Sequence, residues 1–370
     1  MYVGSNPTLS ANNTNAPQGA FSFPMRHTAR RMRRLFILLT TVVLANCSRA
    51  PLPERFQGPT MGTTYSVVVT QLPPGVARES LQSAIDEVLS DTNTHLSTYD
   101  PASEISLFNG STGTEWVAVS PQLFGVVAIA QEVSQATGGA FDITVGPLVR
   151  RWGFGGGSDD ARRPDPAEIA GLREFVGFAK LELQLDGPSL RKTVGDLQMD
   201  VGAIAPGLAV DQIARRFEAL GVRDYLVELG GEVWGRGRSP AGRPWRVAVE
   251  APLSGERRPY ALVELDGLGA STSGDYRDFR IVDGKKLSHT IDPRTGAPVD
   301  HALASVCVVH ASTVRADAYA TALMVLGPEE GMELAERLGL AALFIERAGT
   351  NGEFRERATA EFERLRRPLD

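Results

Sequence analysis

Two hydrophobic periods alternate along the chain. β-Branched and aromatic residues cluster at 63–70 (TTYSVVVT), 225–229, 245–250, 261–265 and 304–309, which predicts strands. Shorter strands are expected near 181–185, 190–194 and 198–201, and a closing strand at 343–345. Leu81, Ala84, Ile85, Val88 and Leu89 recur at helical spacing. A second helix turns Leu123, Val126, Val127, Ala130 and Val133 inward; Ser120-Pro121 opens it and Gly138-Gly139 stops it. Val210, Ile213, Phe217 and Leu220 mark a third. Pro328 opens a last helix, with Met332, Ala335 and Leu338 inward. The elements are mixed without regular βαβ alternation, so the expected fold class is α+β, a single large mixed α/β unit over residues 60–348. Residues 153–166, rich in Gly, Asp and Arg, read as a surface loop. The charged tail 349–370 reads as a terminal helix or a frayed end.

The first part of the chain has a different pattern. Residues 1–24 are polar and unpatterned, an unstructured leader or a start assigned too early, since Met25 opens a better-formed segment. There a basic run (Arg26, Arg30, Arg31, Arg33, Arg34) precedes uncharged residues 35–45. This apolar stretch is too short for a membrane span, which takes about 20 residues. A basic region before a short apolar one is the pattern of a secretory signal. Its end, Leu44-Ala45-Asn46-Cys47, resembles a bacterial lipoprotein signal, although Asn46 departs from the small residue usual there. The resemblance implies that Cys47 is lipidated, that 25–47 is the signal segment, and that 48–59 is a tether. The protein would then sit, exported and lipid-anchored, on the periplasmic side of the inner membrane.

Composition narrows the chemistry. The 370 residues carry a net charge of -6, which argues against a nucleic-acid partner. Five histidines and two cysteines supply too few well-spaced ligands for a Cys/His zinc site. Cys47 and Cys307 lie too far apart in the chain to suggest a disulfide framework.

Candidate chemistry is densest between Gly269 and Gly327. Ser271-Thr272-Ser273-Gly274 reads as a hydroxyl-rich turn whose glycine lets the backbone approach an anion. His289 stands beside an Asp292-Pro293 turn; by itself it is as well explained as a turn residue. Asp317 and Thr321, four apart, share one face of a helix. Two oxygen donors at that spacing suit Mg²⁺, while Asp317 alone would also serve as a helix cap. Together these groups point to chemistry on a phosphate ester or anhydride.

Further motifs precede them: Met61-Gly62-Thr63-Thr64-Tyr65, Leu96-Ser97-Thr98-Tyr99 with Ser103-Glu104-Ile105-Ser106, Gly139-Ala140-Phe141-Asp142-Ile143-Thr144-Val145-Gly146-Pro147, and Asp200-Val201-Gly202-Ala203-Ile204-Ala205-Pro206-Gly207-Leu208-Ala209-Val210-Asp211. Glu228-Leu229-Gly230-Gly231-Glu232 follows, then Ser288-His289-Thr290-Ile291-Asp292-Pro293. In this order, over roughly Gln57 to Ile345, the motifs resemble the ApbE family of FAD:protein FMN transferases. The resemblance implies an ApbE-like fold with FAD, the substrate, in a cleft. Met61, Tyr99, Ala140, Phe141, Asp142, Asp200, Ile291 and the position of Pro206 would line it, with Ser271, Thr272 and Ser273 toward the phosphates. Mg²⁺ would be held by Asp317, Thr321 and the Ala203 carbonyl, and His289 would take the proton of an attacking Thr or Ser hydroxyl on an acceptor protein. Pro206, Leu208, Glu228 and Glu232 depart from the residues usual in the family. Two other readings use the same residues: a Mg²⁺-dependent FAD pyrophosphatase, and a flavin-binding lipoprotein without turnover.

Overall fold

The computed structural model describes residues 2–3, 52–155, 163–255, 257–282, 284–349 and 353–369. All belong to one compact unit; a second unit, Thr8–Pro51, lies outside the described residues, and with it the leader, the signal segment and Cys47.

The elements that position the site are, in chain order, β1 (Glu54–Thr60), β2 (Thr63–Val69), α1 (Arg78–Leu96), α2 (Pro121–Ala136), α3 (Ala205–Ala219), β3 (Tyr225–Leu229), β4 (Glu232–Arg236), β5 (Trp245–Glu250), β6 (Pro259–Leu265), β7 (Leu268–Gly274), β8 (Leu303–His310), α4 (Thr313–Leu338), β9 (Ala341–Ala348), β10 (Glu353–Ala358) and α5 (Ala360–Leu365). Eight of the strands form one antiparallel sheet in the order β10-β9-β8-β7-β4-β3-β2-β1. This is the expected α+β class, built on hairpins rather than parallel crossovers.

Side-chain alternation assigns the two faces of the sheet. In β8, Val306 and Val308 pack under α4, while Cys307 and Val309 face β5, β6 and α5. Every residue from Leu303 to Val309 is therefore buried. Helices α1 and α3 cover β2 and β3 with Leu81, Ile85, Ile213 and Phe217. Helix α2 closes a third apolar cluster against α3 and α4. Ser120 caps α2 as expected, accepting from the Leu123 N–H at 3.1 Å.

Several expectations change. The hydroxyl-rich turn at 271–274 is an internal strand, β7. It was not legible because Gly-Ala-Ser-Thr-Ser has no apolar alternation. Residues 198–201 form no strand; Asp200 N–H instead donates to the Ile143 carbonyl at 2.6 Å. The tether cannot extend to residue 59, because β1 already pairs with β2 from Glu54. The charged tail is neither frayed nor a single helix. It supplies the edge strand β10 and then α5, whose Phe362 is fully buried. Pro328 does open a new helical segment, after a break at Gly327 (φ 79°), but Leu338 is 38% exposed rather than inward. Of the expected loop at 153–166, residues 156–162 lie outside the described residues, and its last residue, Pro166, begins a helix (Pro166–Arg173) whose N-terminus is held by a capping box on Asp165.

Candidate active site

The start of α4 is fixed from outside the helix. Asp211 on α3 accepts from Ser312 Oγ (2.9 Å), Thr313 N–H (2.8 Å) and Val314 N–H (3.2 Å). The two N–H groups are among those that a helix leaves without intrahelical partners. The two helices approach closely because Gly207 has no side chain. A Cβ there would lie 2.7 Å from the Thr313 carbonyl oxygen. Since Asp211 does the capping, Asp317 is released from that role, and the cap explanation of this residue falls away.

Asp317 is 5% exposed. Its Oδ1 accepts from Ser271 Oγ at 3.3 Å, and the Gly207 N–H also favours the ionised form. Oδ2 has no partner. Burial pushes the carboxyl up to about 7. One turn further along, Thr321 Oγ1 lies 3.2 Å from Ser273 Oγ. Strand and helix thus interlock through two pairs, Ser271 with Asp317 and Ser273 with Thr321. Strand alternation sends Thr272 to the other face, where it stands opposite Cys307. Its side chain is not part of this group.

Glu228 and Glu232 flank a turn in which Gly230 (φ 64°) and Gly231 (φ 116°) adopt backbone that other residues avoid. Glu228 Oε1 accepts from the Gly231 N–H at 3.1 Å, so a carboxylate holds the turn at this departure from the family's usual residue. Desolvation raises Glu228 to about 7. Glu232 Oε1 lies 3.5 Å from Ser271 Oγ. Desolvation, with the Asp317 charge second, holds its carboxyl well above the usual range.

The His289 side of the site is more open. His289 Nδ1 lies 2.8 Å from the Asp278 carbonyl oxygen. A carbonyl only accepts, so Nδ1 carries the proton and Nε2 of the neutral ring is left as an acceptor. Phe154 meets the imidazole edge-on, with centroids 6.4 Å apart. Tyr99 is 74% exposed. Partial desolvation, then the charges of Asp200 and Asp278, raise its phenol above the ordinary value. Met61, in the β1–β2 turn, is the one non-glycine residue with positive φ (48°) among the described residues. It packs against two of the apolar clusters. Strain of about 1–2 kcal/mol is usual at such a position.

Other expected residues sit deeper. Ala140 and Phe141 are buried, the latter in the cluster closed by α2. Asp142 spends its oxygens inside the fold. Oδ1 accepts from Thr144 N–H and Oγ1, and Oδ2 from Phe178 N–H. Ile291 is buried with Leu148, Trp152 and Phe154. Ala203 is half-buried in the turn before α3. Pro206 occupies the first turn of α3, where a missing N–H leaves no intrahelical bond unmade, and Leu208 packs into the core. Four participants escaped sequence reasoning: Asp211, Phe154, the Asp278 carbonyl and the carboxylate of Glu232. Asp211 and Glu232 stood within recognised motifs, but nothing local showed what they would face.

A model of the ApbE family matches residues 61–344. The chain belongs to the ApbE family. A FAD:protein FMN transferase of Vibrio cholerae is 38% identical over 328 residues, covering 89% of this chain and 97% of the relative. The solved apo flavinyl transferase ApbE of Pseudomonas stutzeri superposes with a TM-score of 0.77 at 43% identity, over 85% of this chain and 96% of that one. An ApbE protein of Thermotoga maritima, at 25% identity, still gives 0.76 over 85% of this chain and all of its own length (100%). The ApbE fold therefore persists where most side chains have changed.

Proposed function

We propose that this protein is a FAD:protein FMN transferase that joins FMN to a Thr or Ser hydroxyl of an acceptor protein and releases AMP. The observation that carries the reading is the Ser271–Asp317 and Ser273–Thr321 interlock, with a buried carboxylate oxygen left unpartnered. The acceptor hydroxyl oxygen attacks the FMN-side phosphorus. The bond from that phosphorus to the bridging oxygen breaks, and the electron pair leaves with AMP. His289 Nε2 takes the hydroxyl proton; the Asp278 carbonyl fixes the tautomer that makes this possible. Ser273 orients a phosphate oxygen, and Met61 and Tyr99 offer apolar and aromatic surface to the rings.

The donor set fits a hard cation: Asp317 Oδ2, the Thr321 hydroxyl and the Ala203 carbonyl are all oxygens. Among the described residues no group of three or more His, Cys, Asp or Glu comes together to hold a metal ion, so the carbonyl and hydroxyl oxygens of Ala203 and Thr321 would have to complete the set. Mg²⁺ bound there would neutralise the pyrophosphate and the charge that develops on it.

Incubation with FAD, Mg²⁺ and a candidate acceptor, followed by in-gel flavin fluorescence, tests the reading. A fluorescent acceptor band with stoichiometric AMP is expected. FMN and AMP released with the acceptor unlabelled would indicate a pyrophosphatase, and intact FAD retained on the protein would indicate a flavin carrier. We also propose export and anchoring through a lipid on Cys47. Among the described residues no helix is long and apolar enough to cross a membrane. A mature N-terminus without lipid, found by mass spectrometry, would refute the anchor.

A further inference from the structure

Strand β7 pairs with β4 through Gly269 opposite Trp234 and Ala270 opposite Val233. One step further, this register sets Ser271 opposite Glu232, and side chains directly opposite share a face of the sheet. That face is the one under Asp317. Two carboxylates therefore converge on a single hydroxyl, at 3.3 Å for Asp317 and 3.5 Å for Glu232. Ser271 has one proton to donate and cannot satisfy both. Among the described residues no ion pair joins either carboxylate to a lysine, arginine or histidine. Asp317 Oδ2 is unpartnered in a residue 5% exposed. The Gly230-Gly231 turn folds the Glu232 side chain back, since a Cβ on Gly230 would stand 3.3 Å from its Oε2. Glu228 is differently occupied, because its carboxylate closes the turn.

We propose that Glu232 is a second carboxylate of the cation site, adding its negative charge to that of Asp317 on the same divalent ion. This rests on the reading of Asp317 and Thr321 as a Mg²⁺ site. Two like charges, one buried and one half-buried, repel each other where no counter-ion stands between them. A divalent cation between them removes that penalty, and affinity at oxygen sites rises with the number of charged ligands. The site would then hold its ion before FAD arrives, instead of acquiring it only together with the pyrophosphate.

The test is binding of Mn²⁺ alone to the flavin-free protein, read by the electron paramagnetic resonance of free Mn²⁺, together with the Mg²⁺-induced rise in Tm. The wild type should bind. Glu232→Gln should weaken Mn²⁺ by at least about tenfold and shrink the Mg²⁺-induced rise in Tm, while melting no lower than wild type in EDTA. Asp317→Asn should abolish binding. Glu232→Asp keeps the charge but withdraws it by one methylene, so it should shift the Mg²⁺ to Ca²⁺ preference by at least about threefold; an unshifted ratio counts against the proposal even if Glu232→Gln fails to fold. Wild-type Mn²⁺ affinity in Glu232→Gln, with binding still lost in Asp317→Asn, overturns the role of Glu232 and leaves the metal site standing. Equal binding by wild type and Asp317→Asn, or none by the wild type, overturns both.

Discussion

Two sets of carboxylates withdrawn wholly or partly from water are treated in opposite ways in this protein. Away from the site, Glu250 is fully buried beside Arg277, with Tyr276 Oη at 3.3 Å and Arg257 at 3.9 Å. Glu346, 2% exposed, receives Arg355 at 2.6 Å and Arg357 at 3.0 Å. Among the described residues, Glu232 and Asp317 meet a shared serine and backbone N–H groups, and neither has the guanidinium that Glu250 and Glu346 have. Desolvation is costly in both places. Where nothing in the fold offsets it, the uncompensated charge marks where a ligand is to bind.

The strongest way to break this comparison is to remove Asp317. Asp317→Ala should slow FMN transfer by about a thousandfold, close to 4 kcal/mol of transition-state stabilisation. EDTA should do the same to the wild type, and Mg²⁺ should restore it. A fully active Asp317→Asn enzyme indifferent to EDTA would remove the metal from the mechanism and make the two sets alike. Next, Glu250→Gln should destabilise the fold by about 3 kcal/mol, because it strips a buried guanidinium of its partner. Thermal melting measures this, and transfer at low temperature should be kept. A Tm equal to wild type would show that the arginine pairing is idle.

His289→Ala tests the open side of the site. It should lower kcat by about a hundredfold with little change in FAD affinity, the mark of lost proton transfer rather than lost binding. A rise in KM with kcat intact would reassign the ring to substrate binding.

The smallest expected effect is a pH slope. Glu228 titrates near 7 in the fold, against 4.5 ordinarily, because it is desolvated. The folded state therefore prefers the protonated carboxyl. That stabilisation is fully present below pH 4.5 and is lost as pH rises through 7. In EDTA, urea unfolding of the wild type should lose roughly 2 kcal/mol more than Glu228→Gln across that window. Parallel pH profiles would show that Glu228 is not desolvated as described.

Much of the fold was legible where one residue pattern met one environment. Tyr225–Leu229 and Trp245–Glu250 are strands with the expected bounds, because β-branched and aromatic runs there fill half-buried or buried sheet positions. The start of α2 was legible too, since Ser-Pro caps a helix through local bonds alone. Strand β7 was not legible, since small hydroxyl residues carry no period and become a strand only between β4 and β8. Strand β1 contains Gly58 and Pro59, which read as a tether until β2 is there to pair with them.

The sequence by itself determined the helical spacing of Asp317 and Thr321, the neighbourhood of His289 and Asp292, and the ordered motifs that resemble the ApbE family. Spacing along a helix and order along a chain are local properties, so no partner is needed to read them. Only the tertiary structure decided that Asp211 caps α4 and so frees Asp317. It alone turned Ser271 and Ser273 toward α4 and Thr272 away, and set Glu232 opposite Ser271. Each of these depends on strand register or helix contact between residues far apart in the chain: Ser271 and Glu232 are 39 positions apart, and Asp211 and Thr313 are 102. A one-residue shift of β7 would exchange its faces and dismantle the site while leaving every motif unchanged.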